Sequence, residues 1–122
     1  MHTVLICDDE PSLRELMRVS LGPEYAFEEA ADGAEAIELL ARMQPDLVLV
    51  DVMMPGQGGL AVIEHLRASL EHAETPVIVV SAFSTEPDRA AALAAGANAF
   101  VGKPFDPDEL ATLAQELLAL RV

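Results

Sequence analysis

Five side chains capable of chemistry stand directly behind short apolar runs in this 122-residue chain. They are Asp8 and Asp9 after "TVLIC" (3 to 7), Asp51 after "DLVLV" (46 to 50), Ser81 after "PVIVV" (76 to 80) and Lys103 after "NAFVG" (98 to 102). Asp51 poses the sharpest question, because "LVLVDVMMPG" sets a carboxylate behind four apolar residues that should be buried on both sides. Taken singly, the others have ordinary readings. Asp8 and Asp9 before "EPSL" suit a helix start, where an acidic residue next to proline satisfies free backbone donors. Ser81 suits a turn hydroxyl, and Lys103 a solvated lysine, the default for that residue type. Their common register with the ends of apolar runs is what sets the group apart.

Three carboxylates, one hydroxyl and one ammonium at one place have a definable chemistry. Clustered carboxylates repel, so a cation is expected among them. The ligands on offer are hard oxygens with no suitably placed His or Cys, which favours Mg2+ over zinc or copper. His2, His65 and His72 share no spacing and read as surface residues, and Cys7 within "VLIC" reads as a core filler. A metal on Asp8, Asp9 and Asp51 would keep room for water and for substrate oxygens. A carboxylate beside magnesium, with an ammonium and a hydroxyl close by, suits acceptance of a phosphoryl group, whose charge lies on its equatorial oxygens. Asp51 would be the nucleophile, with Mg2+, Lys103 and Ser81 holding the three oxygens. The product, an acyl phosphate, is open to attack by water, so the mark would be transient.

Convergence requires parallel strands, since ligands of open α/β sheets bind beyond the carboxyl ends of the strands. The apolar runs alternate with segments of helical period, which predicts strands joined by crossover helices. Weaker strands fit "YAFEEA" and "NAFVG". The helical faces are Leu13, Leu16, Met17, Ser20 and Leu21, then Ala34, Ile37, Leu40 and Ala41, then Leu60, Ile63, Leu66 and Leu70. A fourth face is Ala90, Leu93, Ala94 and Ala97, with Gly96 as its stop, and a fifth is Leu110, Leu113, Leu117 and Leu120. Five such units imply right-handed crossovers and a sheet covered on both faces.

With 52% hydrophobic residues, residues 1–122 have the size of one compact domain. The formal net charge of -14, from 21 acidic and 7 basic residues, works against binding nucleic acid or anionic membranes and points to proteins or cations as partners. One cysteine forms no internal disulfide, which suggests a reducing setting. Asp51 and Ser81 interrupt the longest apolar stretches far short of the ~20 residues of a spanning helix, so a soluble, cytoplasmic protein is expected.

These segments, "VLICDDEPSLRELM", "PDLVLVDVMMPGQGG", "PVIVVSA" and "GANAFVGKPFDPDEL" in that order, closely resemble the receiver domain of two-component response regulators over essentially the whole chain. The resemblance implies a flavodoxin-like (βα)5 fold, a three-layer sandwich with a parallel five-stranded sheet in the order 2-1-3-4-5, a topology for which a receiver is itself the standard illustration. It implies Asp51 as phospho-acceptor, Mg2+ on Asp8, Asp9, Asp51 and the Met53 carbonyl, and Ser81 and Lys103 on the phosphoryl group. It further implies a cis Lys103–Pro104 bond and a switch pair, Ser81 and Phe100, in which the hydroxyl moves to the phosphoryl group and the ring turns inward. Phe100 lacks the hydroxyl of a tyrosine, so its movement can change packing only. The implied donor is a phosphohistidine on a histidine kinase or histidine phosphotransfer domain. It would dock on the exposed part of the first helix, around Pro11, Leu13, Arg14 and Met17. Output would pass through the fourth helix, fifth strand and fifth helix to a downstream protein or a fused output domain, the two alternatives being a stand-alone receiver and the first part of a longer regulator. Two departures stand out: Gly58 replaces the acidic residue common before the glycine at 59, suggesting a looser loop in "MPGQGGL", and the fourth helix, "EPDRAAALAAG", lacks large side chains.

Two other functions share some of these residues. A haloacid-dehalogenase-like phosphohydrolase also phosphorylates an aspartate after a strand, but carries a second Asp two residues later as acid and base; here that position is Met53, and the acidic pair precedes Asp51. Without that general acid, slow turnover and a persisting phosphate are expected. An unphosphorylated interaction module on the same fold has no need of all five site residues.

Overall fold

The computed structural model describes residues 1–54 and 58–120. Its elements alternate strictly: β1 (Thr3–Cys7), α1 (Pro11–Leu21), β2 (Ala26–Ala30), α2 (Gly33–Leu40), β3 (Leu47–Val50), α3 (Gly59–Ala68), β4 (Val77–Ser81), α4 (Glu86–Ala95), β5 (Ala99–Gly102) and α5 (Pro107–Ala119). All strands are parallel, in the order β2-β1-β3-β4-β5. The alternation of apolar runs and helical segments implies the parallel sheet, and the resemblance to receiver domains implies this flavodoxin-like strand order.

Sequence character sorts the strands by position. Every residue of β3 and β4 is buried, as uninterrupted Val, Leu and Ile runs require when helices cover both faces. The edge strands β2 and β5 are only partly buried, which accounts for their weaker apolar signal. Alternate strand residues feed two cores. Leu5, Cys7, Val48, Val50, Val77 and Val79 pack with Ala36, Ile63, Leu66 and Ala92 of α2, α3 and α4. Val4, Ile6, Leu47, Leu49, Ile78 and Val80 pack with Met17, Leu21, Leu110, Ala114 and Leu118 of α1 and α5. Each fully buried Leu, Ile or Met stabilises the fold by about 1.5–3 kcal/mol. Burial pushes the Cys7 thiol far up, consistent with a filler rather than a nucleophile.

Local chemistry sets the helix ends. Asp32 caps α2 by accepting from the Glu35 amide at 2.8 Å, and Thr85 and Asp88 form a reciprocal capping box at the start of α4. Gly96 ends α4 in the left-handed region at φ 119°, as its position predicts. Gly59 opens α3 so close to β3 that a Cβ there would run into the Asp51 carbonyl. The loop reading based on "MPGQGGL" falls in part on residues 55–57, outside the described residues.

Several expected faces are corrected. Leu16 is exposed, and Leu70 lies past the end of α3 and is fully exposed. In α4 the buried residue is Ala92; Ala90, Leu93 and Ala94 face outward, because alanine carries too little apolar surface to define a face. In α5, Ala114 and Leu118 are buried, while Leu120 lies just past its end and is exposed. His72 is not a surface residue: it is 2% exposed, with Nε2 2.9 Å from the Leu40 carbonyl at the end of α2. Among the described residues no helix is long and apolar enough to cross a membrane.

Candidate functional site

Parallel strands in register bring their carboxyl ends to one edge, and the site forms there. Asp8 and Asp51 follow the neighbouring central strands β1 and β3, and the Asp51 amide donates to the Cys7 carbonyl at 3.0 Å. Both are almost wholly buried, at 0% and 5% exposure. Two buried carboxylates side by side would be very unfavourable alone. Their counter-charge arrives from β5: Lys103 Nζ lies 2.7 Å from Asp8 Oδ2 and 2.9 Å from Asp51 Oδ2. Burial alone would lower the ammonium's pKa, but hydrogen bonds to Asp51 and Asp8 and the charges of both outweigh it, and the net shift is upward from 10.5. The Lys103–Pro104 bond is cis, as expected.

Asp9 completes the group from the rim. Carboxylate oxygens of Asp8, Asp9 and Asp51 lie within 4.8 Å of one another, and Asp9 is exposed while the other two are buried. Three carboxylates against one ammonium leave two negative charges uncompensated. An all-oxygen cluster, two charges short of neutrality and open on one side, fits a hard divalent cation such as Mg2+.

The remaining expected residues divide. Ser81 is the last residue of β4, fully buried, and its carbonyl accepts from the Lys103 amide at 2.9 Å. Its Oγ accepts from the Phe83 amide at 3.2 Å, and among the described residues it makes no hydrogen bond to Asp51 or Lys103. Met53 donates its amide to Asp51 Oδ1 at 3.0 Å, which holds the carboxylate in place. The exposed side chains of Met53 and Phe83 line a mostly apolar cleft of about 190 Å³ with Val52, Leu60, Ala91 and the carboxylate-bearing Asp88. Phe100 lies apart from the carboxylates, half-buried against the α2–α3–α4 core, with the Arg89 guanidinium 4.9 Å from its ring centre. On α1, Met17 is 1% exposed and belongs to the core.

Sequence reasoning missed the arginines. The sequence places Arg14 only in a docking surface on the first helix, yet its Nη1 donates to the Asp8 carbonyl at 2.6 Å and its Nε to Glu29 at 2.8 Å. Arg67 of α3 donates to the carbonyls of His72, Ala73 and Gly96 and to Asn98 Oδ1 at the opposite end of the sheet. Backbone carbonyls leave no mark in a sequence, so neither role had a signal to follow.

Comparison with known proteins agrees with this fold. Residues 4–115 match the family model described as the response regulator receiver domain. Response regulator MprA of Mycobacterium sp. strain KMS is 40% identical over 116 residues, covering 94% of this chain and 50% of that protein. The chain thus spans about half the length of the curated mycobacterial relatives it matches. Among solved structures, the receiver domain of the Francisella response regulator 1452 aligns with a TM-score of 0.90 and 27% identity over 100% of both chains. The receiver domain of a sensor histidine kinase from Pseudomonas aeruginosa PAO1, solved with a magnesium ion coordinated in its active site cleft, aligns with a TM-score of 0.85 and 29% identity over 97% of this chain and 98% of that one. A five-stranded parallel sheet that gathers an acidic pair, a central aspartate and a lysine at one edge, together with a family match over nearly its full length, makes this chain a member of the response regulator receiver domain family.

Proposed function

We propose that residues 1–122 act as one phosphorylation-dependent switch, in which Asp51 accepts a phosphoryl group from a phosphohistidine donor. The observation that carries this reading is the bridging of Asp8 and Asp51 by Lys103, with Asp9 completing an acidic cluster. In the transfer, an Asp51 carboxylate oxygen forms a bond to phosphorus as the donor's P–N bond breaks, and the imidazole leaves with the bonding pair and takes up a proton. Asp8, Asp9, Asp51 and the Met53 carbonyl would hold Mg2+, which when bound neutralises charge on the phosphoryl oxygens.

The chain's own groups supply the rest. Lys103, already in contact with Asp51, is placed to pair with a phosphoryl oxygen, and it stays charged throughout the neutral range. The Met53 amide orients the nucleophile. Ser81 would exchange its Phe83 amide partner for a phosphoryl oxygen, and Phe100 would turn inward, changing the surface formed by α4, β5 and α5 that a downstream protein or fused output domain reads. The donor would be a histidine kinase or histidine phosphotransfer domain in the cytoplasm. With Met53 standing where a phosphohydrolase would carry its general acid, hydrolysis of the acyl phosphate would be slow and the domain regulatory rather than enzymatic.

The test is incubation with acetyl phosphate and Mg2+ followed by intact-mass measurement. The expected result is a gain of one phosphoryl group that needs Mg2+ and is abolished in Asp51→Asn. Rapid multiple turnover of phosphomonoesters, or retention of the mass gain in Asp51→Asn, would overturn the reading.

A further inference from the structure

Asp8 is held at four atoms, and three of its partners follow from strand pairing, a local turn and the site lysine. Its amide donates to the Ala30 carbonyl at 3.1 Å, its Oδ1 accepts from the Glu10 amide at 2.9 Å, and its Oδ2 accepts from Lys103. The fourth partner comes from outside the site. Arg14, in the first turn of α1 and 15% exposed in its side chain, reaches back to donate to the Asp8 carbonyl at 2.6 Å.

The guanidinium is itself fixed from the far side. Arg14 Nε donates to Glu29 Oε1 of β2 at 2.8 Å, and Arg18 Nε lies 3.2 Å from Glu29 Oε2 as an ion pair without hydrogen-bond alignment. Because β2 flanks β1 on the side opposite β3, Arg14 draws the Asp8 carbonyl toward β2 while the Asp8 carboxylate reaches the Lys103 and Asp51 side. The peptide that carries this carbonyl also carries the Asp9 amide, and a planar trans peptide points the two in opposite directions. Asp9 makes no hydrogen bond or ion pair of its own among the described residues, so its backbone sets its place.

We propose that Arg14 is a positioning residue for the divalent-cation site, locking the Asp8–Asp9 peptide so that both carboxylates face Asp51 before the ion arrives. The proposal rests on the reading of Asp8, Asp9 and Asp51 as cation ligands. Glu29 has a second part in it. By pairing with Arg14 it cancels a positive charge close to the site, so the turn is held without weakening attraction for a cation. A lysine could donate to the carbonyl or pair with Glu29, but it lacks the planar fork that serves both.

The experiment is titration of the 15N-labelled protein with Mg2+, following amide shifts of Asp9 and Asp51, together with acetyl phosphate reaction rates across Mg2+ concentration. Arg14→Ala is expected to raise the Mg2+ dissociation constant about tenfold, with Arg14→Lys between it and wild type and Glu29→Gln raised about threefold. At saturating Mg2+ the phosphorylation rate of all three should return to within about twofold of wild type, a split between affinity and rate that general damage to the fold would not give. Should Arg14→Ala fold poorly, Glu29→Gln and Arg14→Lys carry the test. If the wild type titrates and the variants titrate at the same concentration, or if the saturating rate falls as far as the affinity, the role of Arg14 is overturned while the cation site stands. If the wild type shows no Mg2+-dependent shifts, both readings fall.

Discussion

At the amino ends of the strands, Arg67 spreads its guanidinium over the carbonyls of His72, Ala73 and Gly96 and the side-chain oxygen of Asn98, whose Oδ1 also accepts from the Val77 amide at 2.8 Å. At the carboxyl ends, Lys103 faces the carboxylates of Asp8 and Asp51, with that of Asp9 close by. Both cations are partly buried and richly bonded, but their partners differ. Arg67 meets neutral oxygens that are already the ends of helices and loops, and burial lowers its pKa, with Glu74 opposing. Lys103 meets formal charges that exceed its own, and its pKa rises. The first arrangement is closed, since its acceptors need nothing further. The second is left two charges short, and that shortage is what lets an added cation bind. The contrast teaches how one sheet can be sealed at one edge and receptive at the other.

The comparison breaks most visibly at Lys103. Lys103→Ala leaves the buried Asp8 and Asp51 carboxylates facing each other, and should cost about 3–5 kcal/mol in urea unfolding without Mg2+. Millimolar Mg2+ should restore a large part of that loss, because the ion supplies the missing charge. A failure of Mg2+ to restore stability would show that the two edges are alike.

Arg67→Ala should cost about 2 kcal/mol, since it strips donors from carbonyls at the ends of α4 and the α3–β4 connection, and Mg2+ should restore none of it. The two variants measured side by side separate an edge limited by charge from one limited by hydrogen bonds. Alkaline unfolding sharpens the same point. Because the folded pKa of Lys103 is raised above its ordinary 10.5, its stabilisation is complete below that value and is lost as pH climbs through the folded one. Wild type should therefore weaken through that window, and Lys103→Met should lack that component of the slope.

The smallest expected effect lies between the two edges, on α4. Arg89→Gln removes a cation from the Phe100 ring and should cost about 0.5–1 kcal/mol, read as a shift in the urea midpoint. Phe100→Leu should remove the ring part of that cost and leave only the weak Arg89 Nη1 bond to the residue's carbonyl at 3.4 Å, which leucine retains, and a double-mutant cycle without coupling would show that the ring contact contributes nothing.

How far the sequence could be read follows from the same physics. β1, β3 and β4 were legible because a strand buried on both faces must be an unbroken apolar run, and Asp8 and Asp51 stood out as the charges that end two such runs. The face of α4 was not legible, since a helix of mostly alanine has no side that water avoids strongly. His72 was misplaced because its bond to the Leu40 carbonyl joins segments 32 residues apart and involves no second side chain. Arg14 escaped for a related reason: its partner in the site is a backbone atom, which every residue possesses.

What the sequence alone determined was the set of layers, because apolar periodicity dictates which surfaces must be buried, and, through the resemblance of the motifs behind those runs, the family of the chain. What only the tertiary structure decided was which polar atoms meet: that Lys103 bridges Asp8 and Asp51, that Arg14 reaches the Asp8 carbonyl, and that Arg67 seals the far edge. Burial depends on area and can be read from composition along a chain, whereas a hydrogen bond depends on distances of a few tenths of an ångström between groups that only the folded backbone brings together.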